Sequence, residues 1–98
     1  MALVITHSDE TTHGTYRADL PGVDRPAVLN WRARGKARVI EHTFVPPEMR
    51  GQGVAQQLVE AIVADARAQG FRIVPQCSYA EVLFRRRPEW ADLLDDEG

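Results

Sequence analysis

His42-Thr43-Phe44-Val45-Pro46-Pro47-Glu48-Met49-Arg50-Gly51-Gln52-Gly53-Val54-Ala55 is the stretch from which the fold of this chain is read. A β-rich run ends at two prolines, a turn with two glycines follows, and a helical pattern starts at once. A helix start leaves its first N–H groups without intrahelical acceptors and carries a partial positive charge. Gly51 and Gly53 have no Cβ, so a bulky diphosphate can approach the backbone closely. Arg50 sets a guanidinium with planar donors at the rim. Two glycines alone also serve an ordinary tight loop. Two other phosphate motifs are excluded, because there is no Gly-Lys-Ser/Thr ending and no third glycine at dinucleotide-fold spacing.

Downstream of the turn, Ala55, Leu58, Val59, Ile62 and Ala66 recur at spacings of three and four across residues 53–69. Gln56, Gln57, Glu60, Arg67 and Gln69 lie mostly off that stripe. The pattern predicts an amphipathic helix with Gly70 as its C-cap. Residues 71–75 follow as a short strand, and 78–86 as a second, shorter helix that Pro88 ends. Upstream, residues 3–6 are an apolar run before a turn at Ser8-Asp9, and residues 14–20 stop at Pro21-Gly22. Residues 26–34 and 37–45 flank Gly35-Lys36 and predict an antiparallel hairpin. The order β-β-β-β-α-β-α predicts an α+β fold on one mixed, mostly antiparallel sheet. Its fourth and fifth strands are expected as parallel neighbours, joined by a right-handed β-α-β crossover through the long helix. The acidic tail, residues 92–98, reads as frayed, and no helical pattern precedes Arg50.

With 98 residues, 44% hydrophobic and 27% charged, the chain suits one compact domain and is too short for two. The formal net charge of −2 gives no global attraction to nucleic acid or anionic membranes, so an anion needs a local site. Cys77 is the only cysteine, which excludes an intramolecular disulfide. No leader is expected from residues 1–6, which lack a basic flank, and no apolar stretch nears the roughly 20 residues that span a bilayer. These features predict a cytoplasmic protein with no nucleic-acid and no membrane partner. Arg85-Arg86-Arg87 is expected as a solvated helix end, where cations suit the dipole. His7, His13 and His42 share no ligand-like spacing, so no metal site is expected.

Arg50-x-x-Gly53-x-Ala55 resembles the pyrophosphate motif of the GNAT superfamily of N-acetyltransferases. The longer string joins His42-Thr43-x-Val45-Pro46, Arg50-Gly51-x-Gly53, Pro75-x-Cys77-Ser78-Tyr79 and Pro88-Glu89-Trp90. It is similar to the small single-domain, YjdJ-like branch, over residues 14–94. The resemblance implies one minimal acetyltransferase domain over residues 1–98, lacking the N-terminal helices of larger members. It implies acetyl-CoA (coenzyme A) as cofactor, contacted by Val45, Arg50, Gly51, Gln52, Gly53, Val54, Ala55, Cys77 and Tyr79. It also implies an unidentified amine as acceptor, protein lysines among the candidates, and a monomer or weak homodimer. Strands four and five are expected to splay around the pantetheine arm. Pro46, Pro47 and Pro75 have no N–H, which deprives both facing strand ends of ladder donors.

Acetyl transfer to an amine needs a nitrogen without its extra proton, a polarised thioester carbonyl and a proton for the departing thiolate. Glu41 lies on the fourth strand, where many GNAT enzymes carry the carboxylate that deprotonates the amine; a solvated strand glutamate is the other reading. His42 has a near-neutral intrinsic pKa and is either a base or a hydrogen-bonded structural residue. The family's Asn-x-x-Ala-x-x-x-Tyr reads here Cys77-Ser78-Tyr79-Ala80-Glu81-Val82-Leu83-Phe84, so the usual tyrosine acid is a ring with no hydroxyl. Tyr79 is open to take its place, or to pack as a partly buried ring. Ser78 and Glu81 fit a capping box with Ser78 as N-cap. Cys77, just before that cap, is open to three roles: acyl-accepting nucleophile, general base, or packing. The expected activity is acyl-CoA-dependent N-acetyltransfer. A non-catalytic acyl-CoA-binding or sensing module is the alternative, since it needs Arg50 and Gly53 but no acid or base, and an interaction domain keeping only the fold is the third reading.

Overall fold

Alternation of buried and exposed side chains builds the sheet. In β2 (His13–Asp19) Gly14, Tyr16 and Ala18 are buried, and in β3 (Ala27–Arg34) so are Ala27, Leu29 and Trp31. Antiparallel pairing sets Tyr16 opposite Leu29 and Gly14 opposite Trp31, which gathers these apolar groups on one face. Glycine is required at position 14, because a Cβ there would meet the Trp31 ring at 2.5 Å. The edge strand β1 (Val4–Asp9) pairs with β2, and β4 (Ala37–Phe44) with β3 across the Gly35-Lys36 turn. β5 (Arg72–Pro75) lies parallel to β4, so the sheet has the order β1-β2-β3-β4-β5. This computed structural model describes residues 3–95; Met1, Ala2 and residues 96–98, the last positions of the acidic tail, lie outside them.

α1 (Val54–Gln69) crosses from β4 to β5 and presses Val54, Leu58, Val59, Ile62, Val63 and Ala66 onto the sheet. It stops at Gly70, whose φ of 84° is a left-handed cap. α2 (Ser78–Arg86) adds Ala80, Leu83 and Phe84 to the same core, and Phe84 meets Trp90 at 5.1 Å between ring centroids. The other face of the sheet holds a small second cluster, Ala37, Val39 and Val74, which no helical residue joins. Short 3-10 segments occur at Pro47–Met49 and Pro88–Leu93. The α+β class, the mostly antiparallel sheet and the β-α-β connection are as expected. Among the described residues no helix is long and apolar enough to cross a membrane.

Two expectations are corrected. Ser8 and Asp9 are strand residues, opposite Thr15 and Gly14, and the turn falls later. Asp9 Oδ1 accepts the Thr11 N–H at 2.8 Å, holding Thr11 at a φ of 74°. The tail is not frayed from Asp92. Arg67 binds the Asp92 carboxylate, Arg72 binds the Asp92 and Leu94 carbonyls, and the Asp95 N–H donates to the Ile73 carbonyl.

Candidate functional site

β4 runs out at Phe44, and Pro46 and Pro47 turn the chain into a short 3-10 turn anchored by fully buried Met49. Gly51 and Gly53 then take φ values of 82° and 72°, which branched residues resist. The first helical bond is donated by Gln57 to the Gly53 carbonyl. Among the described residues, none of the N–H groups of residues 51–56 has an acceptor in the protein. A Cβ at either glycine would meet nothing within 4 Å, so the space above the turn is open. Arg50 Nε donates to the Val45 carbonyl at 3.2 Å and Gln52 Nε2 to the Glu48 carbonyl at 3.3 Å, fastening the turn on both sides. Exposed Arg50 keeps its two terminal nitrogens for another acceptor. Orphan amides, a helix start, a cation and open space are the requirements of a diphosphate, and this turn meets them.

Most of the expected cofactor residues come together. Val45, Arg50, Gly51, Gly53, Val54, Ala55 and Tyr79 line one open cavity of about 200 Å³, with Met49 beneath; Gln52 and Cys77 do not line it. Tyr79 is 40% exposed, so its ring is only partly buried, and it lines the cavity. Its phenol holds its proton more tightly than usual, through partial withdrawal of the group from water and then the charge of Glu60.

Beside this cavity the sheet forks. The β4–β5 ladder ends where Ile40 faces Pro75, and the N–H groups of Gln76 and Cys77 both donate to the Ile40 carbonyl. β4 continues for Glu41, His42, Thr43 and Phe44 without a β5 partner. Besides the prolines, a bulge shapes this end: Asn30 faces His42 and Trp31 faces Ile40, so Glu41 is the extra residue. Cys77 stands at the apex, its Sγ 3.5 Å from Thr43 Oγ1.

The capping box is a further correction. Cys77, not Ser78, is the N-cap of α2, and its sulfur accepts the Ala80 N–H at 3.3 Å. The chain leaves β5 at Pro75 and is still extended at Cys77, which starts the helix one residue earlier than the Ser-x-x-Glu reading placed its first turn. Ser78 is exposed, and Glu81 pairs with Arg85 at 3.0 Å instead of reaching back. Glu41 is exposed and pairs with Arg32 at 3.1 Å; His42 is exposed and its ring makes no hydrogen bond among the described residues; neither lines the turn cavity. The arginine run has structural partners: besides Arg85, Arg87 pairs with Glu60 and lies over the Trp90 ring.

Sequence reasoning missed a polar cluster on the far side of α1. The buried Tyr16 hydroxyl donates to Asp65 Oδ2, and the His7 ring stacks on Tyr16 at 3.9 Å. Trp31 Nε1 donates to His7 Nε2 at 3.0 Å, which assigns the imidazole proton to Nδ1, 3.6 Å from Asp65. Arg38 lies between the Trp31 and Phe71 rings and binds Asp9 at 3.1 Å, while its Nη1 is buried without a partner. Burial lowers the His7 pKa against the opposing pull of Asp65 and Asp9. It also pushes the Tyr16 phenol far up, with the Asp65 bond adding. Tyr16 and Asp65 are 49 positions apart, a separation that no local motif announces.

A profile of the family described as GCN5-related N-acetyltransferase matches residues 15–93. Among solved structures, the NMR solution structure of a GCN5-like protein from Staphylococcus aureus matches with a TM-score of 0.70 and 23% identity. The match covers 92% of this chain and 87% of that one. At that identity the likeness speaks for the fold, while the profile, spanning most of the chain, speaks for the family.

Proposed function

The chain belongs to the GCN5-related N-acetyltransferase family and is an acetyltransferase; from that premise we propose that residues 1–98 form one minimal domain, of the small YjdJ-like branch, that carries acetyl from acetyl-CoA to an amine in the cytoplasm. The observation that supports it is the turn, whose orphan N–H groups at residues 51–56 lie under open space with Arg50 at the rim. Acetyl-CoA bound there supplies an acetyl group already activated as a thioester. The amides and Arg50 hold the diphosphate, and Val45 and Tyr79 wall the cavity.

Overall, transfer takes two protons from an ammonium nitrogen and returns one to the leaving sulfur, releasing the other. Glu41 and His42, exposed just past the last β4–β5 pair, are the proposed acceptors on the solvent side. Tyr79, whose phenol keeps its proton, is the proposed donor on the cavity side. Cys77 at the fork apex is the proposed third member, and its sulfur also caps α2.

Mass spectrometry of an amine panel incubated with the protein and acetyl-CoA tests the reading. The expected result is one added acetyl group per amine with release of free CoA thiol; binding without transfer would leave a sensing module instead. Cys77→Ser keeps a capping oxygen but removes the thiol. If the thiol takes part, this variant keeps its acetyl-CoA affinity while turnover falls at least about tenfold, or 1.4 kcal/mol of barrier. Full turnover would leave Cys77 the capping role alone.

A further inference from the structure

The first turn of α2 has a cavity on each side. Tyr79 faces the cofactor cavity described above. Pro75, Gln76 and Glu81 face a second cavity, about 520 Å³ against about 200 Å³. That is a ligand-sized volume, since small-molecule sites span roughly 300–1,000 Å³. Its floor is apolar, formed by Val74, Phe84 and Leu94, and its rim carries Arg34 and Arg85 as well as the carboxylates of Glu81 and Asp95. Phe84, with no hydroxyl to lend to proton transfer, contributes apolar surface here. The two cavities therefore back onto one short segment that contains Cys77, and the Glu81 N–H bonds the Cys77 carbonyl at 3.0 Å, one helical turn away.

We propose that this second cavity is the acceptor subsite, and that it takes a small zwitterionic amine with an apolar side chain, the chemistry of a hydrophobic α-amino acid or dipeptide. The proposal rests on the acetyltransfer reading for its role, but not for its binding chemistry. The apolar side chain covers Val74, Phe84 and Leu94. The carboxylate meets Arg34 and Arg85, whose planar donors suit it in pairs. The ammonium meets Glu81, whose backbone lies one helical turn from Cys77. The existing Glu81–Arg85 pair does not stand in the way. Both side chains are mostly exposed, at 59% and 71%, and such surface pairs contribute less than about 1 kcal/mol. A ligand carrying both charges replaces each partner in kind. A plain alkylamine lacks the carboxylate for Arg34, and a plain fatty acid lacks the ammonium for Glu81.

Titration of the ¹⁵N-labelled full chain with L-leucine, L-leucyl-L-leucine, isoamylamine and isocaproate tests this by NMR. The expected result is saturable shifts at the amides of Val74, Gln76 and Arg85 with leucine or dileucine. The stronger of those two identifies free amino acid or dipeptide as the occupant. Isoamylamine and isocaproate should each bind at least about fivefold more weakly, on the order of 1 kcal/mol. Arg34→Ala should weaken leucine by a similar factor and leave isoamylamine unchanged, an outcome that general loss of structure would not give. Shifts that never saturate at those amides, or leucine binding no tighter than isoamylamine, would overturn the proposal. So would an Arg34→Ala variant that binds leucine as the parent does. Acetyl-CoA added to the same sample reports separately through residues 51–55. Failure there with leucine binding intact would sink the cofactor reading and leave this subsite standing.

Discussion

The turn at residues 51–56 and the cluster of His7, Tyr16, Trp31, Arg38 and Asp65 both concentrate polar groups, and they treat them in opposite ways. In the turn, backbone donors find no acceptor in the protein and face open space. In the cluster, the Tyr16 hydroxyl, the Trp31 N–H and both ring nitrogens of His7 each face a partner, and Arg38 Nη1 is the exception, buried between two rings without one. Polar groups withdrawn from water are stabilising only when matched, so the cluster contributes to the fold. Donors left unmatched at a helix start are instead a standing demand for an anion. The difference separates a region that holds the protein together from one left open to a ligand.

That contrast can be broken by mutation. The largest effect is expected for Tyr16→Phe, which removes the donor to Asp65 and leaves the carboxylate beside the ring. A hydrogen bond to a charged group contributes about 1.5–3 kcal/mol, and partial exposure of Asp65 places this one near the lower figure. Urea denaturation should show that loss, while acetyl-CoA affinity stays within about twofold; a matching loss of affinity would erase the distinction between the two regions. Next is Gly53→Val, whose branched side chain projects into the open space above the turn. Acetyl-CoA affinity should fall by at least about 1.4 kcal/mol, or tenfold, measured by calorimetry on folded variant. A left-handed φ of 72° also strains valine, so stability falls as well, by roughly 1–2 kcal/mol.

The smallest effect is a pH dependence confined to the cluster. Burial sets the folded pKa of His7 below its ordinary 6.5, with Arg38 acting the same way and Asp65 and Asp9 opposing. The unfolded chain therefore binds more protons in the window just below 6.5. Stability is full above that value, falls as pH drops through the window, and levels once the folded state is protonated too. Melting temperature followed from pH 7 downward should show this slope, and His7→Gln should flatten it. An unchanged slope in that variant would assign the effect to another group.

How legible each region was follows from the same contrast. The turn is a local device: two prolines, two glycines and the first residues of a helix stand within fourteen consecutive residues, and backbone conformation supplies the open amides. The cluster depends on the register of β1 against β2 and on α1 lying across both, which bring His7, Tyr16 and Asp65 together from distant positions. The bulge at Glu41 was equally hidden, since an extra residue in β4 shows only against its partner in β3. Pro75 announced where strand pairing fails, whereas Pro46 and Pro47 lie beyond the end of β4 and the bulge beside the fork was missed. The cap of α2 was misplaced because serine is the commoner capping residue, whereas the chain's exit from β5 delivers the Cys77 sulfur to the Ala80 N–H.

The proposed acetyl-CoA site at residues 51–56 stands or falls on binding. Calorimetric titration of the full chain with acetyl-CoA, repeated with Gly53→Val under the same conditions, tests it most directly. One molecule bound per chain by the parent and at least about tenfold weaker binding by the variant are expected. Equal affinity in a folded variant, or no binding by the parent, would contradict it.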